Sequence, residues 1–144
     1  MAKLDNNVIE VHLPSVLGYE KVAMDSAAAV AKIMDFHESR IEDLKTAVAE
    51  ACTNAIEHGN HLKKNTMVLV TLVMGSDCLE VNVEDCGKGI KDLPTEPNID
   101  EQLSAKHDSR GWGVFLIKRL VDELEFKPGP KGGNVTRMVI HLNR

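Results

Sequence analysis

Three short patches of polar residues and glycine carry the chemistry that this sequence offers. Glu50-Ala51-Cys52-Thr53-Asn54 lies in a helix-like run, and Asp85-Cys86-Gly87-Lys88-Gly89 follows a strand-like run. Gly111-Trp112-Gly113 opens a second helix-like run. Together they supply a metal-binding amide, two carboxylates, and two glycine pairs that let backbone approach a bound ligand closely.

The first patch places acceptors on one face of a helix. At about 100° per residue, Glu50, Asn54 and Glu57 share a sector of roughly 60°. The Asn54 amide oxygen suits Mg²⁺, and a carboxylate at Glu50 can accept a proton from water or a hydroxyl group. From this helix alone, a solvated polar face is the stronger interpretation, because such stripes are common on surface helices.

The second patch places a carboxylate where a strand ends. Asp85 can accept a hydrogen bond from an exocyclic amine such as N6 of adenine, and Gly87 and Gly89 let the backbone pass close to a ring. Lys88 suits either a phosphate contact or an exposed turn. Taken by itself this patch is typical of a plain turn, in which aspartate and glycine are the commonest residues.

The third patch lies at the start of a helix, where free N–H groups and the helix dipole favour phosphate. Gly111 and Gly113 allow close approach, and Arg110 adds a charged fork for phosphate oxygens. The patch lacks the Gly-Lys-Ser/Thr ending of a Walker A loop and the third glycine of a dinucleotide-binding motif. We expect Trp112 to pack the helix end rather than stack on a ligand.

The bulk composition limits the class of protein. The chain has 144 residues, of which 43% are hydrophobic, and we predict a single domain over residues 1–144. Its net charge of -5 argues against a nucleic-acid surface. The odd cysteine number, the start without an apolar signal stretch and the absence of a membrane-length apolar run predict a cytoplasmic protein with reduced thiols and no membrane contact.

The remaining pattern predicts an α+β fold, a two-layer α/β sandwich. Strands are predicted over 8–13, 67–73, 79–84, 123–127 and 135–142. Helices are predicted over about 14–36, 41–58 and 112–121. The long irregular segment 86–110 between the last two patches is predicted to be a functional loop or lid.

At these residues the chain resembles the GHKL ATPase superfamily, over nearly its whole length. Glu50…Asn54 matches the family's N box, Asp85-Cys86-Gly87-Lys88-Gly89 its first glycine box, and Gly111-Trp112-Gly113 its second. The resemblance implies the Bergerat-type ATP-binding fold, with a mixed, mostly antiparallel sheet and helices on one face. The runs 47–59 and 111–123 are most similar to the anti-sigma factor serine/threonine kinases of bacterial sporulation and stress switches.

The resemblance also implies roles for single residues. Asn54 would ligate Mg²⁺, Glu50 would activate the attacking hydroxyl, and Asp85 would hold the adenine of ATP. The glycines of both boxes would shape the pocket and the lid. Arg110 would lie near the γ-phosphate, although its spacing from the glycine pair differs by one residue from some relatives. Thr136 would approach the adenine from a late strand.

Two function hypotheses follow from the resemblance. The first is phosphoryl transfer from ATP with Mg²⁺ to a serine or threonine of an anti-sigma-factor antagonist, which controls a sigma factor. The second is a binding module that sequesters a sigma factor or another partner without phosphorylating it. A third interpretation, a degenerate fold without nucleotide, is disfavoured by the intact Asn54. By analogy with the family we expect a homodimer.

Overall fold

The computed structural model describes residues 7–87 and 109–142, and for 109–111 the backbone only. The strands are β1 (Asn7–Pro14), β2 (Met67–Met74), β3 (Cys78–Glu84), β4 (Glu123–Pro128) and β5 (Asn134–His141). The helices are α1 (Glu20–Ile33), α2 (Glu38–Asn54) and α3 (Ser109–Leu120), and a π-helical turn, Ala55–Gly59, continues α2. None of the helices in these two described ranges is long and apolar enough to span a membrane.

The strands form a single sheet in the order β1-β2-β3-β5-β4, and its four pairings are all antiparallel. Apolar residues alternate along β2, where Val68, Val70 and Leu72 are fully buried. The register pairs Val70 with Val83 and Leu72 with Val81, so the buried side chains of neighbouring strands share one face. This arrangement confirms the predicted two-layer sandwich, and the described strands pair only antiparallel, where a mixed, mostly antiparallel sheet was expected.

The helices cover the apolar face of the sheet and complete the core. Small residues of α1, including Ala23, Ala27 and Ala31, are fully buried and allow α2 to pack closely. From α2, Leu44 and Val48 belong to the same buried cluster as the inward-facing side chains of the strands. Because α2 lies in the middle of this layer, its side chains are held in fixed positions relative to the sheet.

All three helix starts differ from the prediction: α3 begins at Ser109 rather than at 112, and the other two differences have a visible cause. The first helix begins at Glu20 rather than near position 14, because Ser15 is buried and bonded to the Thr66 backbone, and Gly18 adopts a φ of 111°. The second begins earlier than predicted, at Glu38, where the ring Nδ1 of His37 accepts a hydrogen bond from the Ser39 backbone N–H at 3.2 Å. Both differences arise from polar contacts that hydrophobic periodicity does not register.

A half-buried ion pair connects the start of α2 to the turn between α3 and β4. Asp122 accepts hydrogen bonds of 2.7 Å from Arg40 Nη2 and of 2.7 Å from the His141 backbone N–H. Asp122→Ala removes the carboxylate oxygen that accepts both bonds and leaves the half-buried Arg40 guanidinium without this partner. We expect the free energy of unfolding, measured with urea, to fall by about 2 kcal/mol.

The matched control is Asp43→Ala, because Asp43 is more exposed and lies 3.4 Å from the same Arg40 side chain. An exposed ion pair of this kind contributes less than about 0.5 kcal/mol. Equal losses of stability in the two variants would show that the Asp122 contacts do not stabilise the fold as described.

Candidate nucleotide site

The first and third patches meet at the middle of α2. A methyl group added to Gly113 would lie 2.9 Å from Glu50 Oε2 and 3.1 Å from Asn54 Nδ2. The start of α3 therefore runs directly against the carboxylate and the amide that the sequence places on one face of α2. Glycine at 113 is what permits this approach, at a cost of about 1 kcal/mol relative to alanine in a helix.

The second patch meets the other end of the same helical stretch. There α2 widens into the π turn, whose last residue, Gly59, packs against the carboxylate of Asp85 so closely that a Cβ atom would overlap it. Gly87 in turn packs against the Gly59 carbonyl. Glu50 and Gly59 are nine residues apart, which corresponds to on the order of 10 Å along a helix. The three patches thus line one continuous stretch of helix.

The carboxylate of Asp85 is buried, with 9% of the residue exposed. Its Oδ1 accepts hydrogen bonds from the Gly87 N–H at 2.8 Å, from the Asn134 side chain at 3.1 Å and from the Asn134 backbone N–H at 3.3 Å. The Asp85 Oδ2 atom accepts no hydrogen bond from the described residues. One oxygen therefore anchors the side chain, and the other keeps its acceptor capacity.

The pKa of the Asp85 carboxyl is raised above its ordinary value. Burial is the largest cause, because it penalises the charged form. The hydrogen bonds from Gly87 and Asn134 and the nearby charge of His61 oppose the rise without cancelling it. The Asp85 carboxyl group therefore becomes protonated at a higher pH than the carboxyl group of an exposed aspartate.

Strand β5 closes the site from the side of the sheet. Gly133, just before β5, packs against the backbone carbonyl of Asp85, where a Cβ atom would not fit. Thr136 pairs with Val83, so it lies on the helix-covered face of the sheet, as does Asp85 two residues after Val83. Thr136 and Asp85 are therefore on the same face of neighbouring strands.

The structure accordingly brings together most of the predicted site residues. Glu50, Asn54 and Gly113 form one group, and Asp85 and Gly87 form a second at the far end of the same helical stretch, with Thr136 on the adjoining strand. Gly111 lies within the first turn of α3, because that helix begins at Ser109. Gly89, Lys88, the Arg110 side chain and most of the predicted lid lie outside the described residues.

Four residues that contact the site were not singled out from the sequence. Gly59 and Asn60 indicate the end of a helix, and Gly133 and Asn134 indicate the end of a turn. Nothing in the sequence states that these two pairs flank the same aspartate. The signal available was the coincidence of Gly-Asn at both positions, each next to a predicted strand or helix end.

The donor set fits a metal ion held chiefly by a substrate. The described residues contain no group of three or more histidine, cysteine, aspartate or glutamate side chains arranged for a metal. A single amide at Asn54, beside a carboxylate and a helix start, suits Mg²⁺, which keeps several waters and takes further ligands from phosphates.

The buried thiol of Cys52 belongs to the core. Burial raises its pKa to about 12, so the thiol stays protonated and serves packing.

Comparison with known proteins agrees with this geometry. The family model described as "Histidine kinase-like ATPase domain" matches residues 13–140. The chain belongs to the histidine kinase-like ATPase domain family. The matched range contains every described part of the site, from α2 to β5. Membership of this ATPase domain family implies the use of ATP.

Individual known proteins resemble the chain over nearly its full length. An anti-sigma F factor from Thermoanaerobacter sp. (strain X514) is 31% identical over 138 residues, which cover 94% of each chain. The serine-protein kinase RsbW of Bacillus subtilis (strain 168) is 32% identical over 145 residues, covering 98% of this chain and 89% of the kinase.

A solved structure supports the fold. The crystal structure of the RsbU and RsbW domains of a Mycobacterium tuberculosis protein matches with a TM-score of 0.66 at 19% identity. The match covers 96% of this chain and 33% of the other. Together with the antiparallel sheet and its helical layer, this likeness places the chain among domains with the fold that the sequence predicted.

Proposed function

We propose that the protein transfers the γ-phosphate of ATP to a serine or threonine of a small antagonist protein, and that it also binds the sigma factor which that antagonist releases. The observation that carries the proposal is the meeting of Glu50 and Asn54 with Gly113 at one end of the helical stretch, and of Asp85 with Gly59 at the other. Relatives named as an anti-sigma factor and a serine-protein kinase support the choice of partners.

Asp85 binds the purine end of the nucleotide. Its Oδ1 is held by Gly87 and Asn134, and Oδ2 accepts a hydrogen bond from the exocyclic amine of adenine. A buried acceptor that must be satisfied by a substrate amine rejects a nucleotide that lacks the amine. Thr136, on the same face of the sheet, supports the ring from β5.

Glu50 acts as the base at the phosphate end. Its carboxylate accepts the proton of the substrate hydroxyl while the hydroxyl oxygen bonds to the γ-phosphorus. The bond between that phosphorus and the bridging oxygen breaks, and ADP keeps the electron pair. Asn54, one turn beyond, would hold Mg²⁺, which would supply charge neutralisation at the phosphates. The close packing at Gly113 fixes the position of both side chains.

Further features of the pocket come from the family resemblance. Gly87, Gly89, Gly111 and Gly113 keep the backbone close to the nucleotide, and Arg110 contacts the γ-phosphate. We propose that the chain acts as a homodimer in the cytoplasm, as a single domain over residues 1–144.

Labelled phosphate tests the proposal. The protein is incubated with Mg²⁺, ATP labelled at the γ-phosphate, and the antagonist-type domain encoded nearest to it. The expected result is label on one serine or threonine of that domain, located by mass spectrometry. Stable capture of a sigma factor together with no label on any partner would instead favour the binding module, an alternative supported by the relatives named anti-sigma F factor.

The raised pKa of Asp85 predicts a pH dependence of nucleotide binding. As pH falls through that pKa, a proton on the carboxyl replaces the acceptor that the adenine amine needs, so the affinity for ATP falls. An Asp85→Asn variant, which does not titrate, corrects for protonation of the phosphates. We expect calorimetry to show a steeper loss of affinity in the wild type than in this variant. Parallel profiles would contradict the role of Asp85.

The raised pKa of Asp85 also determines how the stability of the protein changes with pH. Between the unfolded value of 3.8 and the raised native pKa, the native protein holds a proton that the unfolded chain has lost. Stability contributed by this group is therefore present at low pH and is lost as pH rises through the native pKa. Asp85→Asn removes that dependence from the urea unfolding curve of the ligand-free protein.

A further inference from the structure

A buried carboxamide outside the predicted site connects directly to its purine end. Asn60 follows the π turn and is 3% exposed. Its Oδ1 accepts the Cys86 backbone N–H at 2.7 Å, and its Nδ2 donates to Ser15 Oγ at 2.8 Å and to the Met67 carbonyl at 3.1 Å. Asn60 therefore links β1, β2 and the turn that carries Asp85.

This network contains every buried polar or charged residue of the described chain. Those residues are Ser15, Asn60 and Asp85, with 1%, 3% and 9% exposed. Asn60 bonds Ser15 through its side chain and bonds the peptide that follows Asp85. The coincidence is informative, because buried polar groups are kept only where they are satisfied, and here all three belong to one connected structure.

The partners of Asn60 require an asparagine. The Cys86 N–H can only donate and the Met67 carbonyl can only accept, so residue 60 must present an acceptor on one side and a donor on the other. The Asn60 backbone is fixed as well, since its N–H donates to the Ala55 carbonyl at 2.8 Å. Beyond it, His61 and Leu62 adopt left-handed φ values of 53° and 60°, an unfavourable conformation for residues with a Cβ atom.

The Asp85–Cys86 peptide is consequently held from two sides. Asn60 binds its N–H, and Gly133 packs against its carbonyl from the opposite element. Asn134 fixes Oδ1 of the same aspartate. If the contact from Asn60 is lost, the peptide can rotate, and the free Oδ2 no longer points to a fixed place.

We propose that Asn60 is a positioning residue that sets the selectivity of the pocket for a 6-aminopurine, acting through the peptide that follows Asp85. The inference rests on the proposed function, in which Asp85 binds the adenine amine. A purely structural Asn60 would affect stability alone, so selectivity is the quantity that separates the two roles.

The test compares ATP with ITP, which carries a carbonyl group in place of the 6-amino group. Affinities of the wild type for both nucleotides in Mg²⁺ are measured by calorimetry. Asn60→Leu keeps the branching at Cγ but offers no acceptor to Cys86, and we expect the ATP-to-ITP affinity ratio to fall by roughly tenfold. Asn60→Asp keeps an acceptor for that N–H, and we expect it to restore most of the ratio while the protein unfolds at lower urea.

Two further variants keep the test decisive. Ser15→Ala removes the opposite end of the network and leaves the Cys86 contact, so we expect a loss of stability with an unchanged ratio. Asn60→Ser is too short to reach Cys86 and serves if Asn60→Leu does not fold. A folded Asn60→Leu or Asn60→Ser protein with the wild-type ratio would overturn the inference.

Asp85→Ala separates this inference from the function beneath it. Wild-type protein that binds neither nucleotide contradicts the proposed function itself. A preference for ATP that Asp85→Ala abolishes, but that Asn60→Leu and Asn60→Ser retain, contradicts only the role of Asn60. When the role is correct, adding Asn60→Leu to Asp85→Ala changes the ratio no further.

Discussion

Glu50→Gln is expected to lower the rate of phosphotransfer by about 10²–10⁴-fold while the protein still binds ATP. Glutamine keeps the size and the polar contacts of the side chain beside Gly113 but cannot take the proton of the substrate hydroxyl. Rates are measured with labelled ATP under single-turnover conditions, and the dissociation constant is measured separately by calorimetry. A large effect on the rate with an unchanged dissociation constant identifies a group that acts in the transition state.

The matched control is Glu57→Gln, since Glu57 lies on the same polar stripe predicted from the sequence and is not part of the group around Gly113. Its side chain is 32% exposed and lies 3.9 Å from the neighbouring His58 ring. We expect a rate within about twofold of the wild type, as for other surface substitutions. Equal rates for Glu50→Gln and the wild type would remove Glu50 from the chemistry.

Gly59→Ala is expected to weaken ATP binding by about a hundredfold or more, because the new methyl group takes the space of the Asp85 carboxylate. The carboxylate must move, and with it the acceptor that we propose for the adenine amine. Overpacking of this kind also destabilises the fold by roughly 1–3 kcal/mol. The direction of the stability change shows whether the methyl group is obstructed, because alanine in an unobstructed helical position is more stable than glycine by about 1 kcal/mol.

Gly75→Ala provides the comparison at a glycine remote from the site. A methyl group there would lie 3.3 Å from the Cys78 carbonyl oxygen and Sγ, a tight contact that small shifts relieve. We expect its affinity for ATP to match that of the wild type. A Gly59→Ala protein that binds ATP as tightly as Gly75→Ala would show that the packing of Gly59 on Asp85 is unimportant for binding.

Much of the fold was predictable because the buried face of each strand repeats every second residue. The alternation in β2 and β3 predicted their positions within one residue at each end, and the cross-strand register follows from the four residues between the paired Met74 and Leu79. The start of α1 was not predictable in the same way. Its boundary depends on Ser15, which bonds residues around position 60 that are distant in sequence.

Within the site too, contacts local in sequence were predictable and contacts between distant positions were not. Glu50 and Asn54 share a helix face, so their proximity follows from helical geometry. The contact of Gly59 with Asp85 joins positions 26 residues apart, and the contact of Gly133 joins positions 48 apart. Such contacts depend on how α2 and β5 pack against β3, which no local pattern encodes. Only the resemblance to a known family predicted, before these contacts were seen, that the three patches belong together.

The π turn illustrates why local rules fail at the site. Periodicity predicted a single helix over about 41–58, whereas the helix widens at Ala55 and ends at Gly59. The widening places Asn60 over the turn after β3, where its carboxamide binds Cys86. Single π turns are rare and are frequent at functional sites, so the deviation agrees with the position of the proposed site.

The most direct test of the account is calorimetry of the wild type with ATP in the presence and absence of Mg²⁺, repeated with Asn54→Ala and with Asp85→Ala. Our account predicts that the wild type binds one ATP per chain and prefers the Mg²⁺ complex. Asn54→Ala is expected to lose the Mg²⁺ dependence, and Asp85→Ala to lose most of the affinity. Absence of ATP binding by folded wild-type protein, or undiminished binding by both variants, would contradict the claim that these patches form one ATP site.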